Sequence, residues 1–344
     1  MALASAVLFG ASTPFAKLLL GQRVSPWLLA GILYLGSGIG LAAVQFVRWL
    51  ASAPQTEAPL RGRDLPWLGL VVLSGGVAGP VLLMFGLART PATSASLLLN
   101  LEGLATMIIA WTVFRENVDR RILAGAGCIL AGALLLSWQG EWSSVGWGAV
   151  LIAGACLSWG IDNNLTRKLS SADPVQIASV KGLVAGGVNL ALALLAGAQF
   201  PTTSVVAGAA CLGFLSYGVS LVLFVFALRH LGSARTGAYF STAPFIGAIL
   251  AFVLLSEPLS IRLAAAAILM GIGLYLHLVE RHIHEHVHDA LEHEHRHLHD
   301  AHHQHSHAPE DPAGEPHSHR HRHAPLVHSH AHFPDLHHRH RHGR

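Results

Sequence analysis

Apolar runs of about 20 residues recur along residues 1–280, separated by short stretches that hold the prolines and most of the charges. A helix rises 1.5 Å per residue, so each run matches a hydrocarbon core roughly 30 Å thick. The pattern predicts ten spans, at 2–20, 27–47, 66–87, 93–114, 121–138, 146–166, 175–197, 204–228, 234–255 and 261–279. Breakers mark the joints: Pro26, the Pro54–Pro66 stretch, Pro91, Gly140, Pro174 and Pro201. Several joints are short, so neighbouring helices are expected to run antiparallel. The expected fold is an all-α membrane protein with ten transmembrane helices.

Composition agrees with this: 52% of residues are hydrophobic and 12% charged, too few charges for a water-soluble chain of 344 residues. Lys and Arg cluster in alternate loops. One set holds Arg48, Arg61, Arg63, Arg115, Arg120, Arg121, Arg167, Lys168, Arg229 and Arg235; the other has Lys17, Arg23, Arg89 and Arg262, with Lys17 expected inside a helix. The positive-inside bias puts both termini in the cytoplasm, with the chain multi-pass in the cell's inner (plasma) membrane. No basic nucleic-acid footprint, nucleophile–base pair, phosphate loop or metalloprotease pattern occurs, so an enzyme is not expected. Cys128, Cys156 and Cys211 lie in apolar segments and read as small buried hydrophobes.

Sliding the chain by 141 residues superposes Leu87 on Leu228, Ala110 on Ala251, Glu116 on Glu257, Arg121 on Arg262 and Gly132 on Gly273; a looser match sets Gly10 on Gly160 and Pro26 on Pro174. The unit is about five helices, an odd number, so the second copy (139–279) crosses the membrane in the opposite sense to the first (1–138). Inverted repeats of this kind hold substrate near the midplane in many secondary transporters; duplication without transport is the alternative. The stretches LLLNLEGLATMIIAWTVFRENV (97–118) and YFSTAPFIGAILAFVLLSEPLS (239–260) resemble the paired signatures of EamA-type members of the drug/metabolite transporter superfamily. The resemblance covers residues 1–278. It implies a central cavity and secondary active transport, often export, of a small metabolite or drug-like solute. The first copy has Glu102-Gly103 where Glu-Pro is common, which predicts a less kinked fourth helix; the second keeps Ala243-Pro244.

Polar residues inside apolar spans are the candidate site. Glu102 lies near the midplane of the fourth span, where an ionisable group is costly and normally faces a cavity or partner; coupling, substrate contact and a structural hydrogen bond are the readings open to it. Asn100, Thr106, Ser94 and Ser96 share its helix, and simple packing is the alternative for each. Asp162 and Asn163 precede Arg167 on the sixth span, and Lys181 enters the seventh from the same side. An Asp162–Lys181 pair would close a cytoplasmic gate; otherwise Asp162 meets water and Lys181 snorkels. Asn189 is a deeper cavity candidate. Pro14, Pro80 and Pro244 can kink their helices and free carbonyls. Glu116 and Glu257 read as interfacial anchors.

Residues 282–344 hold 23 of the 25 histidines. Ile283, Val287 and Leu291 recur every fourth residue, predicting a helix to about residue 303 with chelating i,i+4 pairs His284/His288, His293/His297 and His295/His299; from Ala308 the tail (280–344) reads as disordered. Such a tail would bind Zn, Ni, Co or Cu loosely, although no cofactor is required by the body. A pH-dependent polyelectrolyte is the bland alternative. The membrane body is poor in metal ligands. The expected partners are therefore the lipid bilayer, a small-molecule substrate and divalent metal ions, with no nucleic acid; a homodimer is compatible. The function from another class is a membrane-anchored metal buffer or sensor whose body does not transport.

Overall fold

The computed structural model describes residues 1–51, 60–113, 120–138, 146–166, 169, 172–224, 226–227 and 239–278, together with the backbone of 283–288, 291–297, 317–323 and 326–331. The described helices are α1 (Ala2–Gly21), α2 (Pro26–Leu50), α3 (Gly62–Arg89), α4 (Ala92–Thr112), α5 (Arg120–Ser137), α6 (Trp147–Thr166), α7 (Pro174–Leu195), α8 (Thr203–Phe224), α9 (Ala243–Leu255) and α10 (Ile261–Leu278). Seven of them, α1 to α5 with α7 and α8, are long and apolar enough to cross a membrane. Large apolar side chains such as Ile39, Val47, Ile249, Val253 and Ile268 lie exposed on the outside, as a lipid-facing surface requires.

Prolines and capping side chains set the helix starts. Pro26 and Pro174 open α2 and α7, where a missing N–H costs nothing, and Asp173 accepts from the Val175 N–H at 2.8 Å. Glu257, from the segment after α9, caps α4: its carboxylate accepts from the Ala92 and Thr93 N–H groups at 2.7 and 2.9 Å. Lys17, inside α1 as expected, donates to the Leu87 and Thr90 carbonyls at the end of α3. A carboxylate at a helix start and an ammonium at a helix end both oppose the local dipole. Glu257 is thus the anchor its position implied; Glu116 and Gly140 lie outside the described residues.

The helices pack as α2 on α7, α5 on α10, α1 on α9, α4 on α6 and α3 on α6, with α8 against α2 and α1. Ser5 and Ser220 exchange hydroxyl-to-carbonyl hydrogen bonds of 2.7 and 2.9 Å between α1 and α8. Small residues permit the closest crossings. On α5 and α10, a Cβ at Gly125 would fall 2.8 Å from the Gly273 carbonyl oxygen, and one at Gly132 would fall 3.0 Å from that of Ala266. Gly10 of α1 meets Ala243 and Gly247 of α9, and Gly160 of α6 meets Ala105 and Thr106 of α4.

Three helices are irregular. In α3 and α8 the backbone widens into π-helix at Val72–Ala78 and Phe214–Val219. The fourth helix runs regularly through Glu102–Gly103, where less kinking was expected, but is interrupted just before them at Leu99–Asn100, where i to i+3 bonds replace helical ones. At that break Asn100 Nδ2 takes the Leu97 carbonyl at 2.8 Å and competes with the helix. The ninth span, expected to run unbroken from 234, turns at Ser241–Thr242 ahead of Pro244.

The tail differs from its expected helix. Its described parts are strands β1 (Ile283–His288), β2 (Leu291–His297), β3 (His317–His323) and β4 (Leu326–Ala331), with β1 antiparallel to β4 and β2 to β3. A spacing of four is a multiple of two as well as near 3.6, so Ile283, Val287 and Leu291 fit a strand period equally, and the His-x-His alternation fits it better.

Candidate functional site

The interior polar site begins at the break in α4. Glu102 falls in the first turn of the resumed helix Leu101–Thr112, and Thr106 sits one turn later on the same face, its hydroxyl bonded to the Glu102 carbonyl at 2.9 Å. The close approach of Gly160 brings α6 onto this face. Asn163 Nδ2 then donates to Glu102 Oε1 at 3.0 Å and to Thr106 Oγ1 at 3.2 Å. Asn164, the next residue, spans the two helices differently: its Nδ2 takes the Thr106 carbonyl at 3.1 Å and the Gly160 carbonyl at 2.8 Å.

Asn163 is exposed, yet it does not face lipid. The lipid-facing side of α6 carries Leu157 and Ile161, both exposed. At 100° per residue, Asn163 stands about 200° beyond Ile161, on the inner side of the bundle. Its exposure is therefore on the inner side of the helix, where a central chamber would lie. Trp159, four residues earlier, shares that side.

Asp162 and Lys181 form the anticipated ion pair, with side chains 8% and 12% exposed. Thr166 Oγ1 donates to Asp162 Oδ1 at 3.2 Å. The pair fits only because α3 passes beside it with Gly75, where any Cβ would collide with the Asp162 carboxylate.

The π-helical stretch of α3 supplies the wall next to this pair. The Gly79 N–H reaches back five residues to the Ser74 carbonyl, which leaves the Gly75 carbonyl without its helical donor; Pro80, lacking an N–H, does the same to Gly76. Side chains from three helices take these acceptors. Tyr34 Oη and Trp159 Nε1 donate to the Gly75 carbonyl at 2.8 and 3.0 Å, and Asn189 Nδ2 to that of Gly76 at 3.1 Å. Aromatic rings continue the wall. Phe9 lies 6.4 Å from Trp159, 6.0 Å from Tyr217 and 5.3 Å from Phe240, and Tyr34 lies 5.4 Å from Tyr217, all between ring centroids.

Of the residues expected at the site, Glu102, Thr106, Asn163, Asp162 and Lys181 gather along the α4–α6–α7 contact. Asn100 does not join them: it is buried at the break, bonded to the Leu97 carbonyl and lying 3.9 Å from Met270 Sδ. Pro244 stands apart at the start of α9. Ser96 is buried against Gly247. His284, His288, His293, His295 and His297 lie on β1 and β2, so the i,i+4 helical pairing proposed for them is replaced by cross-strand register, with His284 opposite His330, His293 opposite His321 and His295 opposite His319. His299 lies outside the described residues. Among the described residues of the helical body no cluster of three His, Cys, Asp or Glu groups suits a metal ion. Sequence reasoning missed Phe9, Tyr34, Trp159 and Tyr217; the one signal was the four-residue spacing from Trp159 to Asn163.

Comparison with known proteins agrees with this architecture. The model described as the EamA-like transporter family matches the chain twice, over residues 1–138 and 146–279. An uncharacterized transporter of Methanothermobacter thermautotrophicus is 29% identical over 285 residues, covering 78% of this chain and 82% of that protein. A probable terminal-alkyne amino-acid exporter of Streptantibioticus cattleyicolor is 27% identical over 211 residues, covering 60% and 71%. A shorter relative, the probable 4-amino-4-deoxy-L-arabinose-phosphoundecaprenol flippase subunit ArnE of Pseudomonas paraeruginosa, is 39% identical over 113 residues, covering 33% of this chain and 95% of that protein. A solved crystal structure superposes with a TM-score of 0.58 at 19% identity, covering 80% of this chain and 98% of that one, a likeness of fold alone.

Proposed function

Since this chain belongs to the EamA-like transporter family, we propose that it is a secondary active exporter of a small metabolite or drug-like solute, working from a chamber between two inverted five-helix units in the inner membrane. The observation that carries the reading is the Glu102–Asn163–Thr106 cluster, which joins α4 of the first matched unit to α6 of the second and opens inward. Two relatives are named for transport, a probable terminal-alkyne amino-acid exporter and a probable flippase subunit, and the first of these names supports export.

Contact geometry supports the inverted repeat. A shift of 141 carries Gly132 to Gly273 and Gly125 to Ala266, so the Gly125–Gly273 contact maps onto the Ala266–Gly132 contact. With the looser match that sets Gly10 on Gly160, and the shift of 141 that sets Thr106 on Gly247, the pairing of Gly10 with Gly247 maps onto that of Gly160 with Thr106. With α1 starting at the cytoplasm, as the loop charges favour, Asp162–Lys181 becomes a cytoplasmic gate and the Glu257 and Lys17 caps lie at the outer face.

The tail, in this reading, is a cytoplasmic collector of Zn, Ni, Co or Cu attached to the transporter; the register that sets histidine opposite histidine favours it. The test is counterflow in proteoliposomes holding the full-length protein and a broad metabolite pool. Flux of at least one solute that falls tenfold or more in Glu102→Gln is expected. If the wild type moves no solute, the metal buffer or sensor reading replaces this one.

A further inference from the structure

The chamber has a charge and a wall that together select a chemical class of cargo. Its ionisable side chains are Glu102, Asp162 and Lys181. Lys181 is held by Asp162, so Glu102 is the member of the set with no opposite charge bonded to it. Among the described residues no cation is bonded to Glu102; its side-chain partner is the neutral amide of Asn163. A carboxyl away from water gives up its proton readily only beside a counter-charge, and none of the described residues bonds one to it.

The neighbouring wall indicates which cation does. Phe9, Trp159, Tyr217 and Phe240 form a continuous aromatic surface on the side of the chamber that Asn163 shares with Trp159. Aromatic faces attract ammonium groups and accommodate apolar bodies. A bare divalent ion is a poor match: it wants several oxygen or nitrogen ligands, whereas the oxygens here are one carboxylate and the Thr106 hydroxyl beside apolar rings.

We propose that this chamber takes a protonated primary amine carried on an aromatic or apolar body, with the ammonium on the Glu102 carboxylate and the body against Phe9, Trp159 and Tyr217. The proposal rests on the transporter reading for passage across the membrane, but not for binding. The Asp162–Lys181 pair then has a second consequence: by holding Lys181, it keeps that ammonium from pairing with Glu102 in place of the cargo.

The test uses full-length protein in detergent and in proteoliposomes, with three probes sharing one body: 2-phenylethylammonium, 2-phenylethanol and phenylacetate. The ammonium probe is expected to bind at least about tenfold more tightly than the alcohol or the acid, with Trp159 fluorescence changing on binding. Glu102→Gln is expected to weaken the ammonium probe alone by at least about tenfold. Wild-type discrimination among the probes decides the matter even where the variant fails to fold. Equal binding of amine and alcohol, preference for the acid, no amine binding, or a folded Glu102→Gln that keeps amine affinity would each overturn the proposal. Amine binding without flux of any solute overturns the transporter reading instead, and flux of non-amines without amine binding overturns only this one.

Discussion

At the scale of single residues, the Asp162–Lys181 pair and Glu102 illustrate opposite treatments of charge inside the membrane body. The pair neutralises itself, and Gly75 clears the space that it fills. Asp162→Asn strands an ammonium that is 12% exposed, so thermal unfolding in detergent is expected to show a loss of about 3–5 kcal/mol, largely recovered in the double variant Asp162→Asn/Lys181→Met. An unchanged melting temperature in the single variant would contradict the buried pairing. The polar members of the site were legible in the sequence because Glu102, Thr106, Asp162, Asn163 and Lys181 interrupt apolar runs, where every polar atom needs a reason. The aromatic members were not. A Phe or Trp in an apolar helix has the same pattern whether it faces lipid, core or chamber, and only the packing of α1, α6 and α8 tells Phe9, Trp159 and Tyr217 from their lipid-facing counterparts.

At the scale of elements, the positions of the helices were readable from run length and proline placement, but their interruptions were not. The π-helical stretch of α3 leaves one trace, Pro80, and the carbonyls freed there are taken by side chains 41 to 113 residues away. No local pattern carries such information. Tyr34→Phe removes one of two side-chain donors to the Gly75 carbonyl, and a loss of about 1 kcal/mol in unfolding is the expected outcome; Asn189→Ala, which removes the side-chain donor to the Gly76 carbonyl that Pro80 cannot serve, is expected to cost more than Tyr34→Phe in the same measurement. The α4 cap gives a further check. Glu257→Gln keeps the shape but not the charge opposite the Ala92 and Thr93 N–H groups, and a loss of about 1 kcal/mol is expected. Equal stability of wild type and Glu257→Gln would assign the capping to hydrogen bonding alone.

At the scale of the whole molecule, the body and the tail obey different rules. The body's two matched units account for residues 1–138 and 146–279, while the tail's composition has no counterpart in them. Truncation after Val279 is therefore expected to leave solute flux in proteoliposomes within about twofold while removing most Ni and Zn binding measured by equilibrium dialysis. A truncated protein that stops transporting would join the tail to the transport cycle. The tail's extended backbone was missed because a period of four satisfies helix and strand alike, and the alternation that decides between them was read as disorder.

The two π-helical stretches also carry a date. A π stretch is a helix with one residue inserted, and an insertion displaces everything after it by one position. The π stretches of α3 and α8 end 141 residues apart, at Ala78 and Val219, the same offset that sets Leu87 on Leu228. An extra residue gained by one helix alone after copying would have changed the downstream offset to 140 or 142. On the duplicated reading, one π stretch copied with its helix accounts for both, and the freed carbonyls of Gly75 and Gly76 then predate the two-unit chain that now surrounds them.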